Sequence, residues 1–71
     1  MKEQLANKIT ELMLKHGAEL NEILMSIKES SNDEEFDFYR KSIGKVMGYM
    51  LSDVMNPIFK EYPSLKPGDL K

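Results

Sequence analysis

The polar segment Ser30-Ser31-Asn32-Asp33 decides the fold, because it separates two long stretches in which apolar residues recur with the period of an α-helix. The apolar face of the first stretch consists of Leu5, Ile9, Leu12, Met13, His16, Leu20, Ile23, Leu24 and Ile27. That of the second consists of Phe36, Tyr39, Ile43, Val46, Met47, Met50, Leu51, Val54 and Ile58. No segment alternates as a strand does. The sequence therefore predicts an all-α chain built as a long antiparallel helical hairpin.

Capping residues and prolines set the helix boundaries. Asn32 precedes Glu35 by three residues, a pattern typical of a helix N-terminus. Pro57 has no amide hydrogen, so Asn56-Pro57 predicts a kink or a restart with Asn56 as the cap. Within a single domain, 1–71, we expect helix one over about 2–29, a turn over 30–33, helix two over about 33–56, a short turn or helix over 57–62 and an extended tail over 63–71.

The segment Lys15-His16-Gly17 offers an alternative, because basic residues followed by glycine mark many helix C-termini. A break at Gly17 would give a monomeric three-helix bundle. The apolar stripe keeps one phase from Leu5 through Ile27, which favours a continuous helix, and an interior glycine costs that helix only about 1 kcal/mol. A continuous hairpin has too few neighbours to cover both apolar faces. We therefore expect it to pair as a homodimer into a four-helix bundle.

Charge and composition favour some functional classes over others. Ten Lys and Arg against twelve Asp and Glu give a net charge of -2, which argues against a general attraction to nucleic acid. Acidic residues flank the basic patch of Arg40, Lys41 and Lys45. Charged residues interrupt the first twenty positions, so the sequence predicts neither a signal peptide nor a membrane span. A cytoplasmic location is the resulting expectation.

The inventory of reactive groups predicts no enzyme and no cofactor. The chain has no cysteine, one histidine and no glycine-rich phosphate loop. His16 lies on the apolar stripe with Glu19 three residues on, and a two-fold dimer would bring two copies of each residue together. A metal-binding or small-molecule-binding helical bundle that uses His16 and Glu19 is thus the alternative function. The favoured interpretation of His16 is structural packing, with no metal bound.

Three glycines predict a close helix crossing. Gly44 and Gly48 lie one turn apart at the edge of the second stripe, and Gly17 falls at the same height in an antiparallel hairpin centred near residue 31. Each glycine costs its helix about 1 kcal/mol relative to alanine. We expect a neighbouring helix or side chain to approach the bare backbone at Gly17, Gly44 and Gly48.

Four apolar residues lie opposite the main stripes and form a candidate interaction surface. Leu14 and Met25 are eleven residues apart on helix one, and Phe38 and Tyr49 are eleven residues apart on helix two. Each pair therefore shares a helix face. Together with the expected homodimer, they favour a cytoplasmic protein-interaction or regulatory module with a protein partner.

Overall fold

The computed structural model describes residues 1–67, which form an antiparallel helical hairpin. Its elements are α1 (Glu3–Ser30), α2 (Asp33–Tyr49), a π-helical turn (Met50–Met55), α3 (Asn56–Glu61) and a 3₁₀ turn (Pro63–Leu65). No strand occurs in this part of the chain. The predicted all-α hairpin is confirmed. The last four residues of the predicted tail lie outside the described range.

The first arm of the hairpin is one uninterrupted helix of 28 residues. It passes through Gly17, so the three-helix arrangement with a break at that residue is not formed. The helix ends where the amide of Ser31 donates to the carbonyl of Ile27 at 2.9 Å. Because an α-helix rises about 1.5 Å per residue, α1 accounts for nearly all of the 44 Å length of the molecule.

Local capping begins the second arm. The side chain of Asn32 accepts a hydrogen bond from the amide of Glu35 at 2.8 Å, as the sequence pattern predicts. Three acidic residues occupy the first turn of α2, where the positive end of the helix dipole favours negative charge. The reversal between the arms is therefore encoded within a few residues.

The second arm responds to Pro57 by widening instead of breaking. Asn56 has helical backbone angles, φ -59° and ψ -43°, so the prediction that it caps a restarted helix is wrong. Its amide donates to the carbonyl of Leu51, five residues back, in the hydrogen-bond pattern of a π-helix. The proline ring crowds the carbonyl of Asp53, four residues back, and a wider turn gives that carbonyl room. The chain thereby continues into α3 in a helical path.

The π-helical turn changes which residues face the other arm. Val54, expected on the apolar face, remains 37% exposed, whereas its neighbour Met55 is buried. The wider turn contains more residues than an α-helical turn, so the residues after it are rotated about the axis. The buried residues of the described chain make up the closed end: Ala6, Met55, Ile58 and Phe59 form one apolar cluster, and the hydroxyl of the buried Thr10 donates to the carbonyl of Ala6.

A third layer covers the closed end. The segment Pro63–Leu65 forms a 3₁₀ turn, which corrects the prediction of an extended tail from residue 63. Leu65 and Tyr62 pack against the buried cluster, and the Tyr62 hydroxyl donates to the carbonyl of Met1 at 2.5 Å. Apolar contact thus anchors a segment that prolines exclude from a regular α-helix. Residues 11–54, the open half, contain no buried side chain.

Candidate functional site

An apolar groove of about 510 Å³ runs along one side of the hairpin in the open half and reaches the closed end. Its lining combines four methionines, two leucines and three small residues with a single polar side chain: Met13, Met47, Met50, Met55, Leu14, Leu51, Gly17, Ala18, Gly48 and Asn21. Unbranched thioethers repack readily against different shapes. The groove can therefore accept apolar groups of more than one shape.

Gly17 and Gly48 border this groove, Gly44 does not, and the two α2 glycines do not mark a close crossing. A Cβ atom built on Gly44 or Gly48 has no heavy atom within 4 Å, so the predicted close approach is absent from both positions in the hairpin. A Cβ on Gly17 would lie 4.0 Å from Cε of Met47, which is an ordinary contact. Across the hairpin, Gly17 faces the end of the long Met47 side chain. Neither glycine of α2 takes part in this contact.

The opposite side of the hairpin carries a second apolar surface, here called the exposed face. It consists of six side chains that are 37–53% exposed: Leu5, Leu12 and Ile23 on α1, and Tyr39, Val46 and Val54 on the second arm. Ile23 follows the groove residue Leu14 by nine residues, and Tyr39 precedes the groove residue Gly48 by nine. Nine residues are about two and a half helical turns, so both side chains point away from the groove.

All six residues of the exposed face belong to the apolar stripes predicted from the sequence. The hairpin leaves them in solvent because each stripe is wider than the surface that one neighbouring helix covers. Of the stripe residues in the open half, those near the line of contact between the arms, such as Leu20 and Ile43, are half-buried. A helix in a fully packed bundle buries an apolar arc of 100° or more, which requires more than one neighbour.

His16 lies on the exposed face between Leu12 and Ile23. Its Nδ1 is 3.3 Å from Oε1 of Glu19, so the expected carboxylate neighbour is present. The two side chains are 52% and 58% exposed, which corrects the expectation that His16 is packed inside. Within residues 1–67, no three His, Cys, Asp or Glu side chains are grouped so that they could hold a metal ion.

The four residues of the predicted interaction surface are all exposed but do not share one site. Leu14 lines the groove. Phe38 instead lines a separate depression of about 350 Å³ on the outer side of α2, and its ring meets the edge of Tyr39 at a centroid distance of 5.0 Å. Met25 and Tyr49 line neither surface. Helical spacing placed each pair on one face, but it carried no information about how the two arms are rotated.

The basic patch on α2 is engaged with an acid of its own helix. Asp37 accepts from Arg40 at 2.7 Å and from Lys41 at 3.0 Å. These hydrogen bonds, the one from Arg40 foremost, hold the pKa of Asp37 below its usual value although the group is exposed. The patch presents less net positive charge than its sequence suggests.

Within the described residues, every helix is too short or too polar to cross a membrane. No protein-family model, curated protein or solved structure was found to match the chain. The groove and the exposed face are the two apolar surfaces of the described residues that could bind a partner.

Proposed function

We propose that this chain is a non-catalytic, homodimeric protein-interaction module in which a second copy covers the exposed face to complete a four-helix bundle. The observation that carries the proposal is the alignment of six large, half-exposed apolar side chains on one side of the hairpin. Removing apolar surface from water stabilises an assembly by about 25 cal/mol per Å². A second copy of the hairpin presents the same apolar surface, so pairing removes the exposed faces of both copies from water.

The limited core supports this reading. Four apolar residues are buried among the 67 described, and all of them lie at the closed end. A helical chain this small rarely gains more than about 3–5 kcal/mol from its own core, and it has no disulfide to supplement it. Pairing through the exposed face would add packing where the single hairpin has least.

The groove supports an interaction role on the other side. A dimer formed through the exposed face leaves the groove of each copy open. Its methionine-rich lining suits a partner protein that inserts an apolar segment, because methionine adapts to the shape of its neighbour. A cytoplasmic location is part of this proposal, as expected from the charged residues that interrupt the first twenty positions.

Sedimentation equilibrium with two glutamate variants tests the dimer. Val46 and Phe38 are both exposed residues of α2, 50% and 62% respectively, but only Val46 belongs to the exposed face. The native chain and Phe38→Glu should sediment at about twice the 8.2 kDa chain mass, and Val46→Glu should sediment as a monomer because a carboxylate would be buried at the interface. A native chain of 8.2 kDa at micromolar concentration would overturn the proposal.

The size of the groove favours a second candidate, the binding of a small apolar molecule. Its volume of about 510 Å³ lies within the roughly 300–1,000 Å³ typical of ligand pockets. His16 and Glu19 do not line it, so this candidate rests on the methionines and on Asn21 as the one polar group.

Matched leucine substitutions test that candidate. Gly48 lines the groove and Gly44 does not, yet a Cβ at either position meets open space. Gly48→Leu should abolish binding of an apolar fluorescent dye, and Gly44→Leu should retain it. Equal dye binding by both variants would place the dye elsewhere and count against a ligand site in the groove.

A further inference from the structure

Five of the six residues of the exposed face are arranged symmetrically along the arms, and Leu5 lies outside this symmetric set. On α1, Leu12 and Ile23 lie equally far from a midpoint between Gly17 and Ala18, and His16 and Glu19 share that midpoint. On the second arm, Tyr39 and Val54 are centred on a point between Val46 and Met47. Each arm therefore has an apolar residue above and below its centre.

The two midpoints lie at the same height in the hairpin. A Cβ at Gly17 would touch Cε of Met47, which places these residues opposite one another. One line drawn across the exposed face therefore passes through both midpoints. A two-fold axis along such a line would place the exposed face of a second copy against the exposed face of the first, with each midpoint opposite its own copy. Such self-complementary contact is the requirement for an isologous dimer interface.

We infer that two copies of this chain pack through their exposed faces about that two-fold axis, with α1 antiparallel to α1 of the partner and α2 antiparallel to α2 of the partner. This inference rests on the proposed function, because it specifies the geometry of the proposed dimer. In this arrangement Leu12 packs on the partner's Ile23, Tyr39 packs on the partner's Val54, and Val46 lies beside its own copy at the axis.

The polar pair on α1 selects this arrangement over the other two-fold packing. About the axis described, the His16–Glu19 pair of one copy lies beside that of the other, so that Nδ1 of each His16 keeps its own Glu19 and Nε2 reaches the partner's Glu19. If the axis ran along the helices instead, α1 would pack on the partner's α2 and His16 would face the partner's Val46. There the His16–Glu19 pair would keep its own contact but would be desolvated against an aliphatic side chain without a new hydrogen bond to offset the cost.

Disulfide trapping tests the geometry, since the native chain has no cysteine to interfere. Single-cysteine variants are made at Leu12, Ile23, Val46 and Val54, with Phe38→Cys as an outer-face control, and each is first shown to be helical by circular dichroism and dimeric by sedimentation. The variants are then oxidised with glutathione disulfide. A bridge forms readily only where two Cα atoms approach within about 7 Å.

The inference predicts that Val46→Cys cross-links with itself and that a mixture of Leu12→Cys with Ile23→Cys yields the mixed dimer in at least tenfold excess over Phe38→Cys self-cross-linking. A mixed dimer of Leu12→Cys with Val54→Cys, without one between Leu12→Cys and Ile23→Cys, would overturn the antiparallel geometry while leaving the dimer intact. A native chain that sediments as a monomer would instead refute the proposed function itself. The two failures are therefore distinguishable.

Discussion

The closed end and the open half of this hairpin contain the same two arms but differ in what covers them. At the closed end, Leu65 of the turn Pro63–Leu65 packs on the buried cluster as a third layer, and Phe59 is only 7% exposed. In the open half the arms have only each other, and Val46 remains 50% exposed. The difference shows that two amphipathic helices bury only the residues along their line of contact, and that full burial requires another layer.

The largest difference between the two regions should appear on truncation of a phenylalanine. Phe59→Ala removes a buried ring and should cost about 3–5 kcal/mol of unfolding free energy. Phe36→Ala, the matched change in the open half, removes a half-buried ring and should cost less than half as much. Urea denaturation of both variants measures the two values. Equal costs would mean that the open half is as well packed as the closed end.

The third layer can be weakened without touching either arm. Leu65 packs on the buried cluster while half-buried itself, so Leu65→Ala should cost about 1–2 kcal/mol. Its neighbour Ser64 is exposed, and Ser64→Ala is the control with little expected effect. If Leu65→Ala also leaves the denaturation midpoint unchanged, the turn would not be the element that closes this end.

In the open half, glycine substitutions should stabilise the chain. An added methyl at Gly48 meets no atom within 4 Å, so helix propensity alone decides the sign. Gly48→Ala should raise the free energy of unfolding by up to about 1 kcal/mol, whereas the sequence-based prediction of a close crossing required the opposite sign. Thermal unfolding distinguishes the two. A lower unfolding free energy for Gly48→Ala would indicate that a neighbouring group does approach Gly48 closely.

The smallest effect concerns Asp37, which lies in the open half. Its pKa is lowered in the fold by Arg40 and Lys41, so its stabilising contribution is present above the usual value of 3.8 and is lost as the pH falls through the lower folded value. The native chain should therefore lose slightly more stability than Asp37→Asn between pH 5 and pH 2. Parallel losses in the two proteins would show that the ion pairs contribute nothing in solution.

Local patterns in the sequence were sufficient to predict the hairpin. The apolar periodicity and the cap at Asn32 depend on neighbours within a turn or two, so both arms and their reversal could be predicted. The response to Pro57 could not. A proline disrupts the preceding turn either by ending the helix or by widening it, and here the burial of Met55 and Phe59 accompanies the wider turn. Such tertiary contacts have no signature in a single sequence.

The candidate surfaces were less predictable than the fold. Helical spacing correctly grouped Leu12 with Ile23, but it could not show that both would remain exposed while Leu20 turned inward. The rotation of each arm about its axis decides this, and helical spacing within one arm does not specify that rotation. The same rotation moved Phe38 away from Leu14 and left His16 in solvent.

The central claim, that a second copy covers the exposed face, is tested most directly by the concentration dependence of unfolding. A dimer is stabilised by mass action, so the urea midpoint of the native chain should rise steadily as its concentration is raised from about 1 to 100 μM. The midpoint of Val46→Glu should not change. A native midpoint that is identical at every concentration would contradict the claim and would leave the exposed face uncovered in a stable monomer.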